Sequence, residues 1–262
     1  MLRPRIIPCL LVHDKGLVKT VGFAEPKYVG DPINAVRIFN EKGVDELIVL
    51  DIDASVRGTE PNFRLIENFA TESRMPLCYG GGIRSAEHAK TIISLGVEKV
   101  AISSAAIEDP SLITRVADVV GRQSAVAVLD VKAGRWGKYE VWTQNGTKNT
   151  KRSPKELAIE LQQAGVGEIV LNSIDNDGRM KGYDLKMVEP VREAIDVPLT
   201  VLGGAGSLND IGELIQRFGV IGAAAGSLFV FKGIYRAVLI NYPSAVERDQ
   251  IVSEYLASGA EN

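Results

Sequence analysis

Pro198-Leu199-Thr200-Val201-Leu202-Gly203-Gly204-Ala205-Gly206 is a short apolar run that stops at a glycine cluster, and it decides the fold because the chain carries the pattern twice. Half a chain earlier, Pro76-Leu77-Cys78-Tyr79-Gly80-Gly81-Gly82 has the same form. Two more echoes keep that separation: Asp51-Ile52-Asp53-Ala54-Ser55 with Asp175-Asn176-Asp177-Gly178, and Ser103-Ser104-Ala105-Ala106 with Ala224-Ala225-Gly226-Ser227. Self-similarity at half the chain length points to one architecture made of two like halves. Outward from the repeat, strands are expected at Arg5–Val12, Glu46–Ile52, Pro76–Tyr79, Lys99–Ser103, Ala125–Val131, Glu168–Asn172, Pro198–Leu202 and Val220–Ala225. Most are continuous apolar runs, as in parallel strands covered on both faces.

The intervals read as helices with clear punctuation. Asp31-Pro32 supplies a cap and a first-turn proline before Ile33–Lys42, and Gly43 ends that helix. Asp109-Pro110 and Ser153-Pro154 repeat the start signal, with Gly121 and Gly165 as stops, and Ser85 opens a helix that Gly96 closes. Alternating strands and helices in this number predict an α/β fold: a (β/α)8 TIM barrel built from two similar (β/α)4 halves, as one domain over residues 1–262. A doubly wound open sheet would need fewer strands and a GxGxxG after the first, which is missing. The longest irregular stretch, Ala133 to Asn149, reads as a hairpin-like excursion after strand five.

Composition excludes several classes. The 262 residues carry a net charge of −3, with 45% hydrophobic and 24% charged residues, the balance of a soluble globular protein. The slightly acidic balance leaves no footprint for nucleic acid. The longest apolar stretch, Val220 to Phe231, is too short to span a bilayer, so no membrane association is expected. The apolar run after Arg3 and Arg5 passes straight into His13-Asp14-Lys15 without a small-residue cleavage site, unlike a signal peptide. Cys9 and Cys78 lack CxxC spacing and have only two histidines for company, so neither a structural zinc site nor a disulfide framework is expected. A cytoplasmic setting follows, with no cofactor and no metal.

In a barrel of this kind chemistry sits at the C-terminal ends of the strands. Gly81, Gly82, Gly203 and Gly204 let backbone N–H groups approach an anion, and Ser103, Ser104, Gly226 and Ser227 add hydroxyls and helix starts. Together they predict two phosphate cradles, one per half, for a phosphorylated small molecule; the alternative is that the glycines serve only tight turns. Carboxylates on the same face are Asp51, Asp53, Asp130, Asp175 and Asp177. Asp130 ends the buried run Ala127-Val128-Leu129 and is the candidate general acid or base. Asp175 reads better as a turn residue. At the opposite face Arg5, Glu46, Lys99 and Glu168 each begin an apolar run, and two positive with two negative groups can neutralise one another as a ring or stand apart as solvated strand starts.

Arg5-Ile6-Ile7-Pro8-Cys9-Leu10, Asp45-Glu46-Leu47, Asp51-Ile52, Gly80-Gly81-Gly82-Ile83, Asp109-Pro110-Ser111-Leu112-Ile113, Ser173-Ile174-Asp175, Asp177-Gly178 and Gly203-Gly204-Ala205-Gly206 resemble the cyclase subunit of imidazole glycerol phosphate synthase, from Arg5 to about Phe231. The resemblance implies a glutaminase subunit bound at the barrel bottom, whose ammonia crosses the barrel to a phosphoribulosyl-formimino aminoimidazole carboxamide ribonucleotide. The products are imidazole glycerol phosphate and an aminoimidazole carboxamide ribonucleotide. It implies an ammonia gate at Arg5, Glu46, Lys99 and Glu168, a substrate-closing loop carrying Lys19, and Asp177 among the substrate-binding residues.

One departure stands out. The family pairs an aspartate ending strand one with the one ending strand five; Asp130 matches the second, and Leu11 occupies the first. Leucine neither gives nor takes a proton, and losing one partner of such a pair costs about 10²–10⁴-fold in rate. Asn172 stands where the family usually has threonine, Ser103-Ser104 where it has Asn-Thr, and Gly22 replaces a loop asparagine. Paralogues with leucine at this position resemble those encoded with surface-polysaccharide genes, where ammonia goes to a separate, third sugar amidotransferase. The expected function is therefore ammonia conduction for amidotransfer, with two rivals: a working cyclase in which Asp130 acts with Asp14 or a water, and a non-catalytic scaffold that activates the glutaminase. The related sugar-phosphate isomerase also needs the strand-one aspartate, so Leu11 counts against it.

Overall fold

A computed structural model of the chain describes residues 3–233 and 235–259, without the side chains of residues 136 and 255–259. Eight parallel strands close on themselves: β1 (Arg5–His13), β2 (Leu47–Asp51), β3 (Leu77–Gly80), β4 (Lys99–Ile102), β5 (Ala125–Ala133), β6 (Glu168–Ser173), β7 (Leu199–Leu202) and β8 (Gly222–Ala225). Each pairs with its neighbours in chain order, and β8 returns to β1 with Arg5 opposite Gly222, so the sheet has no edge in the ring. The chain is a (β/α)8 TIM barrel. No helix among the described residues is long and apolar enough to cross a membrane.

Eight principal helices jacket the barrel: α1 (Pro32–Glu41), α2 (Phe63–Glu72), α3 (Ala86–Ser94), α4 (Ser111–Val120), α5 (Pro154–Gln163), α6 (Leu185–Arg192), α7 (Leu208–Phe218) and α8 (Ala245–Gly259). Asp31 caps α1 by accepting from the Asn34 N–H, with Pro32 in the first turn. The repeat is visible in the caps: Ser85 accepts from His88 before α3 and Ser207 from Asp210 before α7, with near-identical extended backbones. The apolar faces of these helices meet the outward side chains of the strands in a large shell that includes Leu47, Phe39, Phe69, Ile113, Leu161 and Ile215.

A second, smaller cluster fills the barrel axis: Ile7, Cys9, Ile48, Cys78, Ala101, Val126, Val128, Val170, Leu202 and Ala224, with Leu11 and Leu50 packed on it. Strand alternation sends Arg5, Ile7, Cys9 and Leu11 to one face of β1, and the buried axial positions of the other strands follow the same period of two. Charged residues therefore occupy the bottom layer, apolar ones the middle, and the pocket the top.

One segment differs from its sequence reading and another agrees with it. The region after strand one, expected as a loop, is a β-hairpin of Gly16–Val21 and Ala24–Gly30, with Leu11 opposite Val18 and His13 opposite Gly16. β1 continues to His13 and reverses at Asp14 and Lys15, both left-handed (φ 47° and 65°), so the returning chain has a ladder to join. The excursion after strand five is likewise ordered: β5 runs on to Ala133 and pairs antiparallel with Tyr139–Thr143, Asp130 facing Trp142.

Candidate functional site

The bottom layer is one connected ion cluster. Arg5 Nη1 donates to Glu46 and its Nη2 to Glu168 Oε1 at 2.7 Å, while Lys99 Nζ reaches Glu46 Oε1 at 2.9 Å and Glu168 Oε2 at 2.8 Å. Burial opposes ionisation of Glu168, but Arg5 and Lys99 outweigh it and hold the carboxyl below its usual range. Burial likewise works against the charge on Lys99, and Glu168 with Glu46 pushes the net shift upward. A fifth member is Thr200, whose Oγ1 donates to Glu168 Oε1 at 2.6 Å and accepts from Arg5 at 3.3 Å. Gly222 admits it: a Cβ there would lie 1.9 Å from that hydroxyl oxygen. Sequence reading missed Thr200, which looks like an ordinary β-branched strand residue until register sets it beside Glu168.

At the other end a cavity of about 440 Å³ opens over the axial cluster, within the size range of small-molecule sites. The structure brings together Lys19, Gly81, Gly82, Ser103, Ser104, Asp130, Asp177, Gly203, Gly204, Gly226 and Ser227, all of which line it. Ser104 and Ser227 each begin a short helix, Ser104–Glu108 and Ser227–Val230. The Ser104 hydroxyl also accepts from the Gln144 N–H at 3.0 Å, tying the excursion after β5 to the rim.

Asp130 ends the inward face of β5. Its Oδ1 accepts from Asn172 Nδ2 at 2.8 Å and its Oδ2 from Ser103 Oγ at 3.5 Å. Burial pushes this carboxyl up to about 6, only partly offset by those two hydrogen bonds. A group titrating there is ionised at neutral pH yet accepts a proton readily. Opposite in the same cavity are Leu11 and Leu50, paired in register and carrying no polar atom.

Lys19 belongs to the hairpin rather than to a free loop. Its ammonium is buried, donates to the Cys9 carbonyl at 2.6 Å, and is pushed down by burial. Gly226 makes room, since a Cβ there would come within 2.5 Å of Nζ. Asp177 anchors the same hairpin, with Oδ2 accepting from Thr20 Oγ1 at 2.6 Å and from the Phe23 N–H at 3.3 Å. Burial raises the Asp177 carboxyl above its ordinary value.

The other top-face aspartates accept hydrogen bonds from the backbone. Asp51 accepts from the Asp53 and Ala54 N–H groups, and Asp175 accepts from the Ala133 N–H at 2.8 Å. His13, Asp14 and Asp53 offer ligand atoms within 4.8 Å of one another. Arg57 already pairs with both carboxylates, at 2.6 Å to Asp14 and 3.4 Å to Asp53, and the Asp14 N–H donates to Asp53, so the group clamps the left-handed turn. Cys9 and Cys78 are free, buried thiols, and burial raises both.

A closed barrel with a glycine-rimmed pocket and a buried carboxylate at its C-terminal face defines a TIM-barrel enzyme scaffold. The chain belongs to the histidine biosynthesis protein family, whose profile matches residues 5–235, and within it to the HisF-type cyclase subunits of imidazole glycerol phosphate synthase. It is 58% identical over 249 residues to a Pseudomonas aeruginosa protein provisionally named imidazole glycerol phosphate synthase subunit hisF2, covering 95% of this chain and 99% of that one. A Leptospira borgpetersenii protein with a provisional HisF name is 54% identical over 252 residues (96% and 99%). The imidazole glycerol phosphate synthase subunit HisF of Alkaliphilus metalliredigens is 38% identical over 234 residues (89% and 93%).

Proposed function

We propose that this HisF-type subunit takes ammonia from a glutaminase partner docked at the barrel bottom and conducts it along the barrel axis. It then releases the ammonia at the pocket for an amidotransfer step in surface-polysaccharide sugar synthesis in the cytoplasm, the acceptor being handled by a third sugar amidotransferase. The observation that carries this reading is that the ammonia-handling parts and the cyclising parts are unequally equipped. Arg5, Glu46, Lys99 and Glu168 form a complete ring, the gate of this proposal. Above it the axis is lined by apolar side chains, from Ile7 to Val128 and Leu202, and by the thiols of Cys9 and Cys78, whose protons burial holds more tightly. On the pocket floor Asp130 faces no second carboxylate across the barrel axis, because Leu11 holds the equivalent place on β1.

The distribution of relatives supports a separate branch. Four relatives with provisional names are 54–59% identical to the chain, while four named plainly as HisF are 37–41% identical. In this reading Gly81, Gly82, Gly203 and Gly204 with Ser103, Ser104, Gly226 and Ser227 form two phosphate subsites, Lys19 supplies the adjacent cation, and Asp177 holds its hairpin in place.

A working cyclase of histidine biosynthesis is the second reading, favoured by the carboxyl of Asp130 titrating at about 6 inside a cavity large enough for a nucleotide fragment. Complementation separates the two: a histidine auxotroph lacking its cyclase is expected not to grow on this gene. Growth at the normal rate would overturn the proposal and establish the cyclase. Jamming the ring with Lys99→Trp is expected to stop downstream amidation while glutaminase binding persists; survival of amidation would make the barrel a scaffold.

A further inference from the structure

Asn172 stands where the polar and apolar parts of the pocket floor meet. It is the penultimate residue of β6, in register with Asp130, and is 5% exposed. Its Nδ2 donates to Asp130 Oδ1 at 2.8 Å. An ionised carboxylate only accepts, so this bond fixes the amide with nitrogen toward Asp130 and oxygen turned away. That oxygen is buried without a hydrogen-bond partner. It lies against Gly203, where a Cβ would stand 3.2 Å from it and crowd the carbonyl. Buried acceptors left unpaired are uncommon in folded proteins, and one on a pocket wall points to a donor that arrives with the ligand. Leu11 and Leu50, which also line the cavity, supply no such donor.

We propose that Asn172 is a specificity-determining residue: its Oδ1 and the Asp130 carboxylate form a pair of acceptors for a group bearing at least two N–H donors, ammonia or the edge of a primary amidine. A threonine at this place, usual in the family, carries a hydroxyl that turns either to donate or to accept. Asn172, with its nitrogen committed to Asp130, offers acceptance alone and so selects for N–H. The leucines opposite supply no partner for a polar group on that side of the ligand. The choice of a nitrogen group rests on the ammonia delivery proposed above, whereas the acceptor pair itself rests on the side-chain geometry.

The test is a titration of the purified chain, following the Asn172 side-chain amide and the Asp130 carboxyl by NMR. The probes are ammonium, formamidinium and tetramethylammonium chlorides. Saturable shifts with ammonium, formamidinium or both are expected, and none with tetramethylammonium, which has the charge but no N–H. Response to ammonium alone identifies ammonia as the occupant, and response to formamidinium alone an amidine or amide edge. Asn172→Leu, followed through Asp130, is expected to weaken binding at least about tenfold, the loss of one buried hydrogen bond to a charged donor. Asn172→Thr, which keeps a polar atom, is expected to recover part of it. Equal shifts with tetramethylammonium, no shift with any probe, or unchanged affinity in folded Asn172→Leu or Asn172→Thr would overturn the inference. Selective N–H binding in a chain that fails to conduct ammonia would sink the proposed function and leave Asn172 its role.

Discussion

The two ends of the barrel use charge in opposite ways. At the bottom Arg5, Glu46, Lys99 and Glu168 saturate one another, with Thr200 as a further hydrogen-bonding member. At the top the floor of the cavity has Asp130 and Asn172 on one side and Leu11 with Leu50 on the other, and the Asn172 carbonyl lacks a partner. A cluster that satisfies itself needs no ligand to be stable, whereas one that leaves a buried acceptor open and raises a carboxyl is arranged for something that binds. The contrast also separates the halves of the fold, since Leu11 on β1 and Asp130 on β5 hold matching positions with unlike chemistry.

The strongest challenge to the top end is Asp130→Asn. It is expected to lower any ammonia-dependent cyclisation by the chain, or by its Leu11→Asp variant, about 10²–10⁴-fold while leaving glutaminase binding unchanged. Steady-state assays with ammonium salts and a binding titration check both halves of that statement. At the bottom, Glu168→Ala leaves Arg5 and Lys99 sharing Glu46 alone, with one partly buried positive charge uncompensated; a loss of up to about 3–5 kcal/mol in unfolding free energy is expected from denaturant titration.

Acid and base should act on the two ends with opposite sign. Glu168 is held below its ordinary value, so its contribution to stability is present above the unfolded carboxylate's pKa and is lost as pH falls through the lowered native one. Asp130 is raised to about 6, so the native chain holds this proton more tightly than the unfolded one. That advantage, present below the unfolded value, is lost as pH rises through about 6. Melting curves should therefore show Asp130→Asn gaining on the parent at pH 8 but not at pH 4. The deficit of Glu168→Ala should shrink toward pH 3. The smallest effect expected is that of Thr200→Val, about 1.5–3 kcal/mol for a lost hydrogen bond to a charged group, read by the same denaturation.

Much of this was legible in the residues. The strands lie within a few positions of their apolar runs because parallel strands covered on both faces leave continuous hydrophobic stretches, and the caps at Asp31 and Ser85 follow from side-chain oxygens before helical periodicity. The ring residues were visible as charges at strand starts, although their mutual contacts depend on barrel closure. The hairpin that carries Lys19 is not legible in the sequence, because a turn through two non-glycine left-handed residues, Asp14 and Lys15, gives little local signal; the turn is held by Asp53 and Arg57 from the next βα unit. Thr200 and the orientation of Asn172 were hidden for a similar reason. Each acquires its role from a neighbour in register, Glu168 or Asp130, that lies far away in sequence.

The claim that the ammonia-handling end is retained while the cyclising pair is broken is tested most directly by an ammonia-dependent cyclase assay. The chain and its Leu11→Asp variant would be run side by side without glutaminase, measuring imidazole glycerol phosphate formed. Restoring the carboxylate opposite Asp130 is expected to raise turnover about 10²–10⁴-fold over the parent. Equal turnover in the two proteins, whether high or absent, would contradict the assignment of Leu11 as the residue that separates this chain from a working cyclase.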